Sequence, residues 1–188
     1  AGTVFSTVRL CRNKFVDWGL ALPCISMALL GSYIGANLAL RASDTLLRWM
    51  LIPVLPVVSF YVLKKKEIGD NSGIKIGRKK QWLICAMSSL AVGCYDGFYG
   101  PGTGTFLLLL YTGAAKMDVR RASGNMKLAN LSSNVTALVV FLFSGNIIFP
   151  LGLAASAFSI AGHYIWAGMV MKNGSRIVRP LILVVITL

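Results

Sequence analysis

The sequence predicts an all-α integral membrane protein, a multi-span helical bundle with an internal repeat and a segment broken by glycine and proline. Three observations predict it. First, 56% of the 188 residues are hydrophobic and 13% charged, with a mean hydropathy of +0.70. A soluble domain of this length needs about a quarter of its residues charged to cover its surface. Second, the apolar residues come in runs near the roughly 20 that a helix needs to cross a bilayer. Third, a motif in the first run returns in the fifth.

Six hydrophobic stretches follow one another. Stretch A covers 17–40 and stretch B 44–63. Stretch C, 81–115, is interrupted in its middle. Stretch D covers 122–143 and E 147–171, while F starts at Ile177 and runs to Leu188. F is shorter than a span, so a longer parent chain is expected. Between B and C lies the linker KKKEIGDNSGIKIGRKK, 64–80. Its many basic residues place it in the cytoplasm by the positive-inside rule, and its Gly, Asn, Asp and Ser make it a loop.

The formal net charge of +13 comes from short basic clusters between apolar runs. That pattern orients membrane helices and offers no basic, aromatic-rich soluble face for nucleic acid. Cys11, Cys24, Cys85 and Cys94 include no CxxC pair, and three lie in apolar runs. They read as small buried residues rather than disulfides or metal ligands, and His163 has no second histidine nearby. No metal and no cofactor are expected. No Ser/His/Asp, HExxH or metal-ligand spacing points to an enzyme.

The repeat sets Gly31-Ser-Tyr-Ile-Gly-Ala-Asn-Leu-Ala-Leu-Arg41 against Gly162-His-Tyr-Ile-Trp-Ala-Gly-Met-Val-Met-Lys172, an ungapped offset of 162 − 31 = 131. Gly31, Tyr33, Ile34 and Ala36 recur as Gly162, Tyr164, Ile165 and Ala167. Internal duplication is a common build for transporters. It divides the chain into 1–63, the C-terminal part of a first repeat; 64–80, a cytoplasmic basic loop; and 81–188, a second repeat with a shortened last helix. By the same offset, a partner for the break near Asp96 would precede Ala1, with about 50 residues expected there.

Stretch C decides the topology. As a single span it would put Lys116, Arg120, Arg121, Lys172, Arg176 and Arg179 outside, against the positive-inside rule. As a hairpin that dips in and returns, it leaves all six in the cytoplasm and only Arg41 and Arg48 on the other side. The hairpin also sets A and E antiparallel, an inverted repeat.

Stretch C also carries the chemistry. Glycines 93, 97, 100, 102 and 104, with Pro101, cannot sustain an ordinary helix. At membrane depth such a break has to be buried in protein or line a cavity. A half-helix resuming near Thr103 would offer free N–H groups and a positive dipole end to an anion. Gly100, Gly102, Thr103, Gly104 and Thr105 are therefore candidate substrate contacts. The plain alternative is a packing break that lets helices approach closely. A nucleotide phosphate loop is disfavoured, because no lysine follows the glycines of GPGTGT.

Asp96 is the one acid inside an apolar stretch. A buried carboxylate there has a function or a partner. It either carries a coupling proton, or it caps the break or pairs with Lys127. In stretch D, Lys127, Asn130 and Asn134 share a helix face at i, i+3 and i+7, with Asn125 and Ser133 nearby. A cation with two amides suits an oxyanion. The alternative is a snorkelling lysine and asparagines that join helices. Tyr33/Tyr164 and Gly31/Gly162 read as repeat packing.

The run Gly93-Cys-Tyr-Asp-Gly-Phe-Tyr-Gly-Pro-Gly-Thr-Gly-Thr-Phe106 closely resembles the signature of the TauE/SafE sulfite-exporter family, also called the toluene-sulfonate uptake permeases. Lys127-Leu-Ala-Asn-Leu-Ser-Ser-Asn134 resembles that family's Lys–Asn segment, and stretches A and E resemble its paired helices. The resemblance implies a multi-pass permease of the cell (inner) membrane with two related halves. Such a permease would move a small organosulfur oxyanion such as sulfite, sulfoacetate or a sulfonate by alternating access. An ion channel-like pore and a non-transporting membrane scaffold are the alternatives. The expected partners are the small anionic substrate and the lipid bilayer, with homo-oligomerisation open and nucleic acid excluded.

Overall fold

The computed structural model describes residue 7, residues 16–43, 45, 49, 76–100, 102–145, 149–150 and 152–158. Most of stretch B, most of the basic linker, Pro101, the second copy of the repeat and stretch F lie outside the described residues. The chain divides into two compact units, Ser6–Asn146 and a smaller one made of Ala1–Phe5 with Ile147–Leu188. In the smaller unit residues 152–158 are helical and exposed. Among the described residues, the larger unit holds four long helices and no strand.

Helix α1 spans Trp18–Arg41. Asp17 caps it by accepting from the Gly19 N–H at 3.1 Å, which satisfies one of the donors that every helix start leaves open. Helix α2 spans Arg78–Phe98. The two helices run parallel. Asp17 pairs with Arg78 at 3.1 Å where both begin, and further along Ala28 meets Gly93 and Ser32 meets Gly97. Both carry Gly-x-x-x-Gly, Gly31/Gly35 on α1 and Gly93/Gly97 on α2. A Cβ on Gly93 would lie 2.8 Å from the Ala28 oxygen, and one on Gly97 2.8 Å from the Ser32 Cα. The helices thus touch backbone to backbone. Lipid supplies little hydrophobic drive between helices, so this close packing is what holds them.

Helix α3, Thr103–Gly113, turns back along α2. Thr103 bonds Asp96, Tyr111 bonds Ser89 at 2.6 Å, and Gln81 Nε2 donates to the Ala115 carbonyl at 2.9 Å. A tight connection with Lys116 at φ +51 leads into α4, Val119–Phe143. Asp118 caps α4 by accepting from the Arg120 and Arg121 N–H groups. Helix α4 runs with α1, since Asn125 accepts from the Asp17 N–H and Ser32 donates to the Ser133 carbonyl at 2.6 Å.

Leu20, Cys24, Cys85, Leu107, Tyr111, Met117, Ala122 and Met126 form the buried core toward the shared starting end of α1, α2 and α4. The outer faces remain apolar. Leu22, Leu30, Ile34 and Leu38 on α1 and Val135, Leu138, Leu142 and Phe143 on α4 are exposed. A water-soluble monomer rarely shows apolar faces this continuous, whereas in a bilayer they meet lipid. Helices α1 and α4 are each long and apolar enough to cross a membrane.

Candidate functional site

Helix α2 stops at Phe98, and Tyr99 and Gly100 both donate back to the Tyr95 carbonyl. Gly100 has φ +93 and Gly102 φ +84, backbone that costs an L side chain about 1–2 kcal/mol. Glycine at these two positions is therefore what lets the chain reverse. Gly102 is the N-cap of α3 and supplies no side-chain cap. The Phe106 N–H reaches the Gly102 carbonyl at 3.1 Å and Thr103 N–H the Gly100 carbonyl at 3.4 Å. The N–H groups of Gly104 and Thr105 take no acceptor among the described residues, and both residues are half-buried. The positive end of a short helix is thus left uncapped.

Helical rise gives the depth. Ser32 is 32 − 18 = 14 residues into α1 and Ser133 is 133 − 119 = 14 residues into α4. Each stands about 21 Å along its own helix. Helix α1 then continues for 41 − 32 = 9 residues and α4 for 143 − 133 = 10, about 14–15 Å more. The reversal, tied to both through Gly97 and Asp96, lies well inside the length of these two long apolar helices.

Asp96 ties the two sides of the break together. Thr103 Oγ1 donates to its Oδ1 at 2.6 Å, Ser133 Oγ donates to its Oδ2, and the Asn134 amide lies 3.5 Å from Oδ2. Each hydroxyl has one proton and a competing carbonyl: Gly100 O at 2.6 Å for Thr103 and Asn130 O at 3.1 Å for Ser133. Bonds to an ionised carboxylate are about twice as strong as neutral ones, so whenever Asp96 is ionised it takes both protons. Of the roles expected from sequence, the structure places Asp96 at the break; its carboxylate bonds join α3 to α4.

The other expected residues fall as follows. Thr103 is buried, 2% exposed, with its hydroxyl committed to Asp96 and its N–H to the Gly100 carbonyl, so it shapes the turn and offers an anion no free donor. Thr105 is half-buried beside it. A Cβ on Gly104 would meet only Met126 Sδ, at 3.5 Å, so the first turn of α3 faces α4 next to Lys127. Lys127 and Asn130 are half-buried. Lys127 makes no ion pair among the described residues, and its carbonyl accepts from Thr7 at 3.5 Å. Asn134 is exposed, and its amide turns back to the Asn130 carbonyl at 2.6 Å. The structure thus brings Gly100, Gly102, Thr103, Gly104 and Asp96 together with the Met126–Asn134 part of α4.

Sequence reading passed over Ser32 and the capping role of Asp17, and named Asn125 only as a neighbour of the Lys127 face. Ser32 joins α1 to α4 through the Ser133 carbonyl; a serine in an apolar run gives only weak notice of this. Asn125 is fully buried, accepts from Asp17 N–H, and leaves its Nδ2 without a partner among the described residues. Asp17 immediately precedes an apolar run, a legible helix-start signal. Among the described residues no group of three His, Cys, Asp or Glu could hold a metal ion.

Comparison with known proteins adds the following. The family model described as sulfite exporter TauE/SafE matches residues 1–188. A probable membrane transporter protein, ORF9, of Sinorhizobium sp. is 29% identical over 184 residues, covering 98% of this chain and 70% of its own. The probable membrane transporter protein YfcA of Escherichia coli strain K12 is 27% identical over 188 residues, covering 98% and 68%. A probable membrane transporter protein of Haemophilus influenzae is 30% identical over 183 residues, covering 97% and 71%. No solved structure matches significantly.

Proposed function

The chain belongs to the sulfite exporter TauE/SafE family of membrane proteins, and from that premise we propose that it moves a small oxyanion across a cell membrane by alternating access. Its role is transport rather than catalysis. Sulfite, sulfoacetate or a sulfonate is the substrate class that the family description and the site chemistry support together.

The observation that carries this reading is the uncapped start of α3. It sits at membrane depth against the stretch of α4 that holds Lys127 and Asn130. Free backbone N–H groups and a helix dipole bind a compact anion without charged donors in the loop itself, and one half-buried lysine supplies the counter-charge. The N–H groups of Gly104 and Thr105 and the Thr105 hydroxyl would hold the anion, Gly100, Gly102 and Thr103 would shape the turn that presents them, and Lys127, Asn130 and Asn134 would face it from α4.

The proposed topology is multi-pass in the inner membrane, with the starting ends of α1, α2 and α4 in the cytoplasm. Arg78, Lys79 and Lys80 stand at the start of α2. The Gln81–Ala115 bond holds the turn with Lys116, Arg120 and Arg121 at the same end. This gathers the basic residues on one side, as the positive-inside rule asks, and supports reading stretch C as a hairpin. Residues 1–63 and 81–188 are then parts of two inverted repeats joined by the basic loop.

The test is uptake of labelled sulfite by proteoliposomes holding the complete gene product. A charge-assisted hydrogen bond is worth about 1.5–3 kcal/mol. Lys127→Ala should therefore weaken apparent affinity about 10- to 100-fold, and Lys127→Arg should recover part of it. Unchanged uptake by Lys127→Ala and Thr105→Val would remove the site assignment.

A further inference from the structure

Thr103 and Ser133 spend their hydroxyl protons on one carboxylate, and that carboxylate sits at the last turn of α2, before the break. Ser133 also receives Ser32 of α1 on its carbonyl, at 2.6 Å. A single chain of polar contacts therefore runs from α1 through Ser133 to Asp96, and from Asp96 to Thr103 at the first residue of α3. All four helices are joined at the level of the break. Ser32 and Ser133 are 0% and 1% exposed and Thr103 2%, so water does not replace these bonds cheaply.

The chemistry of each group fits the bracing role. An ionised carboxylate only accepts, with room for several donors on its two oxygens. Here one oxygen faces α3 and the other faces α4. The hydroxyl that reaches Asp96 from α3 belongs to the residue just before Gly104 and Thr105, whose N–H groups take no acceptor among the described residues. Moving Thr103 by one ångström would move that pair with it.

We propose that Asp96 is a positioning residue, which fixes the mouth of the half-helix against α4 through Thr103 and Ser133 and so sets where the transported anion is held. This rests on the anion-site reading given above. It assigns Asp96 a role other than carrying the coupled proton. The brace is also the set of bonds that must be exchanged whenever α3 shifts against α4 during the transport cycle.

The two roles separate in experiment. The titratable groups on the helices packed around Asp96 are Cys24 and Tyr33 on α1, Cys85, Cys94 and Tyr95 on α2 with Tyr99 just beyond it, Tyr111 on α3 and Lys127 on α4, besides the basic residues at the helix ends, and all are left intact in the variants. The complete gene product in nanodiscs and proteoliposomes is compared as wild type, Asp96→Ala, Asp96→Asn, Thr103→Val, Ser133→Ala, and the hydroxyl-keeping Thr103→Ser and Ser133→Thr. The first readout is hydrogen–deuterium exchange of segment 100–106. The second is the KM and maximal rate of labelled sulfite exchange from pH 5.5 to 8.

A brace predicts that Thr103→Val, Ser133→Ala and Asp96→Ala all raise amide exchange in segment 100–106. They raise KM by about tenfold, the loss of one such bond, and leave the shape of the pH profile as in wild type. The double variant Asp96→Ala/Ser133→Ala is then no worse than Asp96→Ala alone, and Thr103→Ser and Ser133→Thr regain the wild-type KM. The proposal is overturned if Thr103→Val and Ser133→Ala exchange amides and sulfite as wild type does while Asp96→Asn alone flattens the pH profile, since that is a proton carrier. If segment 100–106 loosens in all three variants but wild type exchanges no sulfite, the brace stands and the substrate reading falls.

Discussion

Gly35→Ala forces apart the contact between α1 and α2 that holds the break in place. An added Cβ would lie 2.8 Å from both the Cys94 carbonyl carbon and the Phe98 nitrogen, and nearer still to the Cys94 oxygen. All three are backbone atoms of α2, so no side-chain rotation relieves the overlap. Carbon atoms settle at about 3.5–4.0 Å, so the helices must separate by about 1 Å there. Overpacking of this kind costs about 1–3 kcal/mol. At roughly 2–4 °C per kcal/mol for a chain of this size, the melting temperature falls by about 2–12 °C. The displaced turn also carries Asp96, whose 2.6 Å bond to Thr103 does not survive a shift of that size. Transport should therefore fall along with stability. The assay is thermal unfolding in detergent next to Gly77→Ala, where an added Cβ meets nothing within 4 Å. If Gly35→Ala melts with the wild type, the backbone contact between α1 and α2 is wrong.

Other perturbations separate the bonds of the core and of the helix ends. Ser89 donates to the Cys85 carbonyl at 2.6 Å and meets the Tyr111 hydroxyl at 2.6 Å. Tyr111→Phe leaves Ser89 bonded and should cost about 1 kcal/mol; Ser89→Ala strands a buried phenol and should cost more, about 1–3 kcal/mol. Chemical denaturation of both variants checks the order. At the helix starts, Arg78→Ala loses an ion pair whose arginine side chain is 67% exposed, worth about 0–1 kcal/mol. Asp17→Ala loses that pair and the cap on Gly19, and should cost about 1–2 kcal/mol. Equal melting points for these two variants would deny the cap any part.

Much of this fold is written in local patterns. Asp17 ahead of an apolar run marks the start of α1 and Arg41 its end, and glycines around Pro101 mark the reversal. The lysine and asparagines of α4 stand out because a polar residue in an apolar run is costly unless it has a role. Partners are not written locally. The two Gly-x-x-x-Gly motifs are visible in the sequence, but that they face each other depends on the parallel register of α1 and α2. Asp96 looked equally suited to a proton, a cap or Lys127. Its actual donors, Thr103 and Ser133, lie 7 and 37 residues away, and a separation of 37 carries no periodic trace. Ser32, too, bonds a backbone carbonyl 101 residues off, which no sequence pattern records.

The central claim, a carrier with an anion site at the start of α3, is tested most directly by counterflow. Liposomes holding the complete gene product are loaded with unlabelled sulfite and diluted into trace labelled sulfite. A carrier gives transient accumulation of label above equilibrium, saturable and absent from chloride-loaded vesicles, and weakened in Lys127→Ala. Label that only equilibrates, with single-channel current across a planar bilayer, would contradict it in favour of a pore.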